Sequence, residues 1–259
     1  MVRSLPMRRT SNRIRASERG PLTSLAYEAQ GEGPPLILLH GLSGSGRWWG
    51  RNVPAFASGF RTYAVDLPGF GASRRVRWSR LDDTVDRLGD WIAAEGLSPA
   101  HVAGHSLGGA VAARLAARHP ERVDRLVLVD AAIRPEGDRP SLRVTDIVQT
   151  VRTGVPGFAP ILARDLLRCH PRSFMAATVD ALQPDGECHL ARITAPTLVV
   201  WGAHDAITPL GLGRDIAETI TDAQLIVLPN AGHNPMWEPA EAFNTEVLRF
   251  LTGRDDTGT

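Results

Sequence analysis

Residues 101–122 read HVAGHSLGGAVAARLAARHPER. The apolar start, up to Gly104, predicts a strand. It passes directly into an alanine-rich segment of helical character that His119-Pro120 stops. At the junction, Gly104-His105-Ser106-Leu107-Gly108 fits G-x-S-x-G between a strand and a helix, the context in which that pattern carries chemistry. Ser106 then sits on a sharp, strained turn that projects its hydroxyl, and small residues two before and two after avoid clashes there. Gly109, Ala110, Ala112 and Ala113 let the helix approach the sheet. Its N-terminus aims free N–H groups and the positive end of its dipole at a reacting oxygen.

Outward from this junction, strands alternate with helices. Strands are predicted over 23–29, 36–39, 61–66, 123–132, 196–201 and 224–228. Several are continuous apolar runs suited to burial on both faces. Helices are predicted over "LDDTVDRLGDWIAAEGL", with Leu81, Val85, Leu88 and Ile92 in register, after Pro209, and from about Glu238 to Leu251. Such alternation implies a mainly parallel sheet with helices on both faces. Residues 133–190 break the rhythm. They hold three helical stripes (Val144 to Val151, Phe158 to Leu166, Phe174 to Leu182) punctuated by Pro156, Pro160, Pro171 and Pro184, and read as a helical insertion.

Composition bounds the chemistry. The 259 residues suit one domain with an insertion. All 29 basic residues are arginine, so Schiff-base and P-loop lysine chemistry is excluded, and a net charge of +1 argues against a polyanion binder. Six arginines and one acid, Glu18, fall within the first 19 residues. Residues 1–20 therefore read as a basic, flexible arm, and 253–259 as a flexible tail. Arg8-Arg9 lacks the apolar stretch of an export signal, and no run has transmembrane length, so a cytoplasmic location and no membrane insertion are expected. Cys169 and Cys188 could pair but cannot build a disulfide framework. Gly69-Phe70-Gly71 is too short for a dinucleotide loop, and no metal-ligand spacing occurs. Neither a metal nor another cofactor is expected.

A serine needs a base. His233, in "PNAGHNPMWE", follows a strand near the C-terminus on a glycine-flanked loop from which it can reach Ser106; His204 is the alternative. An acid must orient the imidazole. Asp205, in "VVWGAHDAITP", lies just past a strand, and Asp130, ending "RLVLVD", is its rival; both belong at the sheet's carboxyl edge. Asp66, in "DLPGFG", precedes the serine and reads as a loop brace.

Five segments together, "LLHGLSGSG" (38–46), "DLPGFGAS" (66–73), "GHSLGG" (104–109), "WGAHD" (201–205) and "AGHNP" (231–235), resemble the α/β-hydrolase family, as does the order Ser106, Asp205, His233. The resemblance implies a mostly parallel eight-stranded sheet formed by 21–132 and 191–252, with 133–190 as a helical cap inserted after the sixth strand. It also implies an oxyanion hole from the backbone N–H groups of Leu42 and Leu107. Ser106 argues against the dehalogenase and epoxide hydrolase branches, which carry an aspartate there. What remains is a serine esterase, lactonase or thioesterase acting on a small to medium, largely apolar substrate. Trp48, Trp49, Phe70, Phe158, Met236 and Trp237 are the candidate pocket residues. The stretch from Gly232 to Leu251 is also similar to carbon–carbon bond hydrolases of aromatic ring cleavage, and a ligand-binding receptor on the same frame is a further alternative. The expected partners are an ester-type small molecule and water, with no nucleic acid, for a monomer or dimer.

Overall fold

The computed structural model describes residues 12–16, 25–134, 157–183 and 189–253. Eight strands form one sheet: β1 (Asn12–Ala16), β2 (Ala26–Gln30), β3 (Pro35–Leu39), β4 (Arg61–Val65), β5 (Ala100–His105), β6 (Val123–Val129), β7 (Thr197–Gly202) and β8 (Ala223–Leu228). Their order is β1-β2-β4-β3-β5-β6-β7-β8. β2 runs antiparallel to both β1 and β4, and every pair from β4 across to β8 is parallel.

The helices are α1 (Val53–Phe56), α2 (Leu81–Ala94), α3 (Leu107–Arg118), α4 (Ala159–Arg168), α5 (Pro171–Leu182), α6 (Leu210–Thr219) and α7 (Ala240–Thr252). Successive residues of a strand face opposite ways, so β3 feeds two cores. Ile37 and Leu39 pack with Val85, Leu88 and Trp91 of α2, Val111 and Leu115 of α3 and Ile216 of α6. Leu36 and Leu38 pack with Phe56 of α1 and Phe243, Val247 and Leu251 of α7. Both faces are thus covered, which is why β3 reads as an unbroken apolar run and β5 and β7 as largely apolar ones. α2 and α3 are further joined along their outer sides, where Arg114 Nη1 lies 2.6 Å from Asp82 Oδ1 and Arg118 Nη2 2.9 Å from Asp86 Oδ1.

One expectation is corrected. The arm predicted over residues 1–20 contains β1, with Asn12 opposite Ala29 and Ala16 opposite Ala26. An edge strand needs only the backbone groups that β2 leaves unpaired, so the polar sequence NRIRA gave no apolar signal of it. In the insertion, Leu166 of the second stripe and Val179 of the third are about half exposed. The rest of these stripes, in α4 and α5, is present, while the stripe Val144 to Val151, Cys188 and the tail from residue 254 lie outside the described residues. Cys169 is a free thiol whose Sγ–H donates to the Leu166 carbonyl at 3.0 Å.

Because β3, β5, β6, β7 and β8 are parallel, their carboxyl ends share one edge of the sheet. The turns leaving that edge carry Leu42, Ser106, Asp130, Asp205 and His233.

Candidate active site

Ser106 joins β5 to α3 with φ 52° and ψ −116°, a conformation that L-residues rarely hold. Its neighbours hold it there. Ser106 N–H donates to the Val129 carbonyl at 2.9 Å, and its own carbonyl accepts from Gly109 and Ala132 N–H, each at 2.9 Å. The turn is so tight that a Cβ on Gly104 would collide with the Gly108 carbonyl. One on Gly108 would meet the Leu39 and His40 carbonyls at 2.6 Å. The small residues of G-x-S-x-G are therefore required by backbone crossing backbone.

The turns after β7 and β8 bring the acid and the base to this serine. His233 Nε2 lies 3.1 Å from Ser106 Oγ, and His233 Nδ1 lies 2.8 Å from Asp205 Oδ2. All three residues are at least nine-tenths buried. Asp205 also accepts from Ile207 N–H at 2.7 Å, Thr208 N–H at 3.0 Å and the Thr208 hydroxyl at 2.5 Å. Burial alone would raise the Asp205 carboxyl, but His233 and these donors outweigh it and hold the group below the usual carboxylate range. The rival acid, Asp130, turns elsewhere: its Oδ1 accepts from Gly202 N–H at 2.9 Å. The alternative base, His204, is exposed and is tied by its backbone N–H to the Ala231 carbonyl at 2.9 Å.

The loop after β3 borders the same space. Gly41 to Gly44 form a turn closed by a 3.0 Å bond from Gly44 N–H to the Gly41 carbonyl, with Ser43 at φ 63°. Leu42 lies inside that turn. Leu107 is the first residue of α3, where helical N–H groups lack partners within the helix. Of the candidate pocket residues, Trp48, Phe158 and Trp237 form one aromatic cluster, with Phe158 ring centroids 5.1 Å from both tryptophans, and Trp48 also borders His105 at 5.7 Å. Met236 is buried in the same core. Trp49 and Phe70 pack outside that cluster. Trp49 is wholly buried against Phe243 of α7, and Phe70 between His40 and Trp78. In the pair Trp48-Trp49, adjacent side chains leave the chain in different directions, so one aromatic run could not supply two pocket walls.

A family described as alpha/beta hydrolase fold matches residues 34–192, and a second, described as TAP-like protein, matches residues 158–257. The pimeloyl-[acyl-carrier protein] methyl ester esterase of Chromobacterium violaceum is 34% identical over 253 residues, covering 88% of this chain and 98% of that protein. The chain belongs to the α/β-hydrolase fold family. A 2-hydroxy-6-oxononadienedioate/2-hydroxy-6-oxononatrienedioate hydrolase of Burkholderia vietnamiensis is 31% identical over 275 residues, covering 93% of this chain and 96% of its own. Among solved structures, a thermophilic esterase from Thermogutta terrifontis superposes with a TM-score of 0.78 at 27% identity, over 89% of this chain and 93% of that one. The protein is thus a hydrolase of this fold. No helix among its described residues is long and apolar enough to cross a membrane.

Within this α/β-hydrolase frame, two further histidines anchor the site. His105 Nε2–H donates to the His233 carbonyl at 2.7 Å and so fixes the loop carrying the candidate base. His40 Nδ1–H donates to the Gly41 carbonyl at 2.8 Å, and its Nε2 accepts from Leu67 N–H at 3.0 Å, tying the loop after β3 to that after β4. Asp66 braces the same junction by accepting from Gly46 N–H at 2.7 Å and Ala72 N–H at 2.6 Å. Sequence alone marked His40 and His105 only as residues before turn glycines, since their partners lie 27 and 128 positions away. Thr208, which clasps Asp205, read only as part of a helix start.

Burial pushes His40 down to about 4 and His105 down to about 3. A base depressed on folding contributes stability that is complete above its unfolded value near 6.5 and is lost as pH falls towards the folded one. Each histidine should therefore add about 1.4 kcal/mol per pH unit to the slope of unfolding free energy below pH 6.5. Urea denaturation of His105→Gln between pH 6.5 and 4.5 should show a slope shallower than wild type by that amount. An unchanged slope would mean that His105 titrates normally.

One oxygen of Asp130 and a ring nitrogen each of His105 and His233 lie within 4.8 Å of one another, a grouping with metal-ligand chemistry. Both ring nitrogens of His233 already face Ser106 and Asp205. A metal ion on His233 would displace one of those contacts.

Proposed function

We propose that this protein is a serine hydrolase that cleaves a carboxylic ester, lactone or thioester of a small to medium, largely apolar substrate through an acyl-enzyme on Ser106. The observation that carries this reading is the continuous polar chain from Ser106 Oγ through the His233 ring to Asp205, with spacings of 3.1 Å and 2.8 Å. Its placement on a strained strand-to-helix turn adds support.

In this mechanism, His233 Nε2 takes the Ser106 proton as Oγ attacks the acyl carbon. Asp205 stabilises the imidazolium and holds its Nδ1–H. The N–H groups of Leu42 and Leu107 stabilise the tetrahedral oxyanion, with about 3 kcal/mol per donor as a typical contribution. His233 then protonates the leaving oxygen or sulfur, and the ester bond breaks. A water molecule, deprotonated by the same imidazole, attacks the acyl-enzyme and releases the acid and free Ser106. The cluster of Trp48, Phe158 and Trp237 supports an apolar acyl preference.

The Burkholderia relative, named as a hydrolase of 2-hydroxy-6-oxononadienedioate, supports a second reading, cleavage of a carbon–carbon bond next to a carbonyl. The two readings separate in one assay series. The purified protein is given p-nitrophenyl acetate and butyrate, and in parallel a 2-hydroxy-6-oxo-dienoate whose colour is lost on cleavage. The ester reading expects kcat/KM for butyrate to exceed that for the dienoate by at least about 100-fold, a transition-state difference of about 2.7 kcal/mol. The reverse order would establish the second reading, and no turnover of either would favour a ligand-binding role.

A further inference from the structure

Asp130, at the carboxyl end of β6, is used by no step above, yet it is buried beside the site's histidines. Its side chain is fully buried and its backbone holds φ 41°, the left-handed region that a non-glycine residue rarely adopts. Its Oδ1 has one donor, Gly202 N–H, and its Oδ2 has none. A buried carboxylate oxygen without a donor is costly.

Asp205 is its neighbour: Thr208 Oγ1 lies 3.2 Å from the Asp130 carbonyl and 2.5 Å from Asp205 Oδ2, and His233, paired to Asp205, has a ring nitrogen within 4.8 Å of an Asp130 carboxyl oxygen. Two ionised carboxylates close together away from water repel strongly, and one takes a proton. Asp205 has four donors: Ile207 N–H, Thr208 N–H, the Thr208 hydroxyl and His233 Nδ1–H. Asp130 has one. The charge therefore rests on Asp205 and the proton on Asp130. Once protonated, Asp130 Oδ2 becomes a donor, and the negative charge nearby on Asp205 favours that form.

The surrounding groups act in the same direction. Asp205, on the turn after β7, and Glu238, beyond β8, both oppose a charge on Asp130, and burial opposes it most. His233 and His105 are the bases facing it, each with a ring nitrogen within 4.8 Å of its oxygen. His105 is kept neutral by burial, and His233 is paired to Asp205.

We propose that Asp130 and Asp205 form a carboxyl pair carrying a single negative charge at neutral pH, with the proton held on Asp130, and that Asp130 is a positioning residue acting on His233 through Asp205. The inference rests on the triad reading above. It implies that Asp130, freed of Asp205's charge, gives up its proton at a lower pH and can then supply the negative charge beside His233.

Two measurements test it. In protein labelled with 13C at the aspartate carboxyls, wild type at pH 7 should show one carboxyl resonance at the position of a protonated acid, and in Asp205→Asn that resonance should move to the ionised position at a lower pH than in wild type. This requires no turnover, so it stands apart from the serine reading, which would fail separately if Ser106→Ala remained active. In kinetics, Asp205→Asn should lose about 100-fold in kcat/KM and the double variant Asp205→Asn/Asp130→Asn about 10,000-fold, the latter being the scale for an unsupported triad histidine. The acid limb of the pH profile of Asp205→Asn should also move to higher pH, because the remaining carboxyl is the more buried one. The proposal is overturned if no protonated aspartate resonance appears in the wild type. It is equally overturned if Asp205→Asn is already as inactive as the double variant. Should the double variant not fold, the NMR comparison and the pH profile of the single variant decide the question alone.

Discussion

Ser106→Ala is expected to lower kcat on p-nitrophenyl butyrate by about 10^4- to 10^6-fold, with KM changed by less than about 3-fold. The methyl group of alanine fits the elbow, whose geometry is set by backbone bonds to Val129, Gly109 and Ala132 rather than by the hydroxyl. Substrate binding should therefore survive while the covalent step is lost. What remains is the oxyanion site and the α3 dipole, which together still exceed the uncatalysed rate. A fluorophosphonate probe that labels wild type and not the variant gives a second readout. If the variant keeps more than about a tenth of wild-type kcat, Ser106 is not the nucleophile, since loss of a covalent catalyst costs far more than tenfold.

Gly104→Val is expected to destabilise the fold by more than about 4 kcal/mol, the range reached when a side chain is forced into an incompressible contact. Its Cβ would lie 2.6 Å from the Gly108 carbonyl carbon and 2.8 Å from the Gly109 nitrogen, besides colliding with the Gly108 oxygen. These are backbone atoms of α3, so relief requires moving the helix off β5, and with it the apolar contacts of Val111 and Leu115. Gly59→Ala is the control: nothing lies within 4 Å of a Cβ there, and the change should stay within about 0.5 kcal/mol of wild type. Urea midpoints with unchanged m-values read both effects. A Gly104→Val protein as stable as Gly59→Ala would mean that the strand-to-helix crossing is wider than the fold requires.

The elements that announced themselves in the sequence are those whose physics is local or repetitive. β3, β5 and β7 are buried on both faces, so most of their residues are apolar and the runs stand out, with His101, His105 and Thr197 as the polar exceptions. The turn at Ser106 needs glycines at fixed offsets because backbone crosses backbone within a few residues. α2 carries acids in its first turn and is followed by Gly96 at φ 69°. In contrast, β1 is specified by the free edge of β2, which lies outside its own sequence. Its residues have no apolar pattern, and it passed as part of an arginine-rich arm.

For the site, chain order and flanking turns were enough to single out Ser106, His233 and Asp205 as candidates with Asp130 and His204 as rivals, because each kind of residue in that chemistry must follow a strand. Choosing among them needed three dimensions. Asp130 and Asp205 both end parallel strands at one edge, and only the side-chain direction set by φ 41° at Asp130 and the Thr208 clasp on Asp205 separates them. The roles of His105 and of the Asp130 carboxyl depend on contacts across 128 and 72 residues, which no local pattern encodes. The parallel strands and the strained serine turn follow from periodicity and spacing along the chain. Which acid faces the imidazole, which aromatic rings line the space and which join the core follow from packing, because these are settled by which surfaces meet when the β-strands come into register.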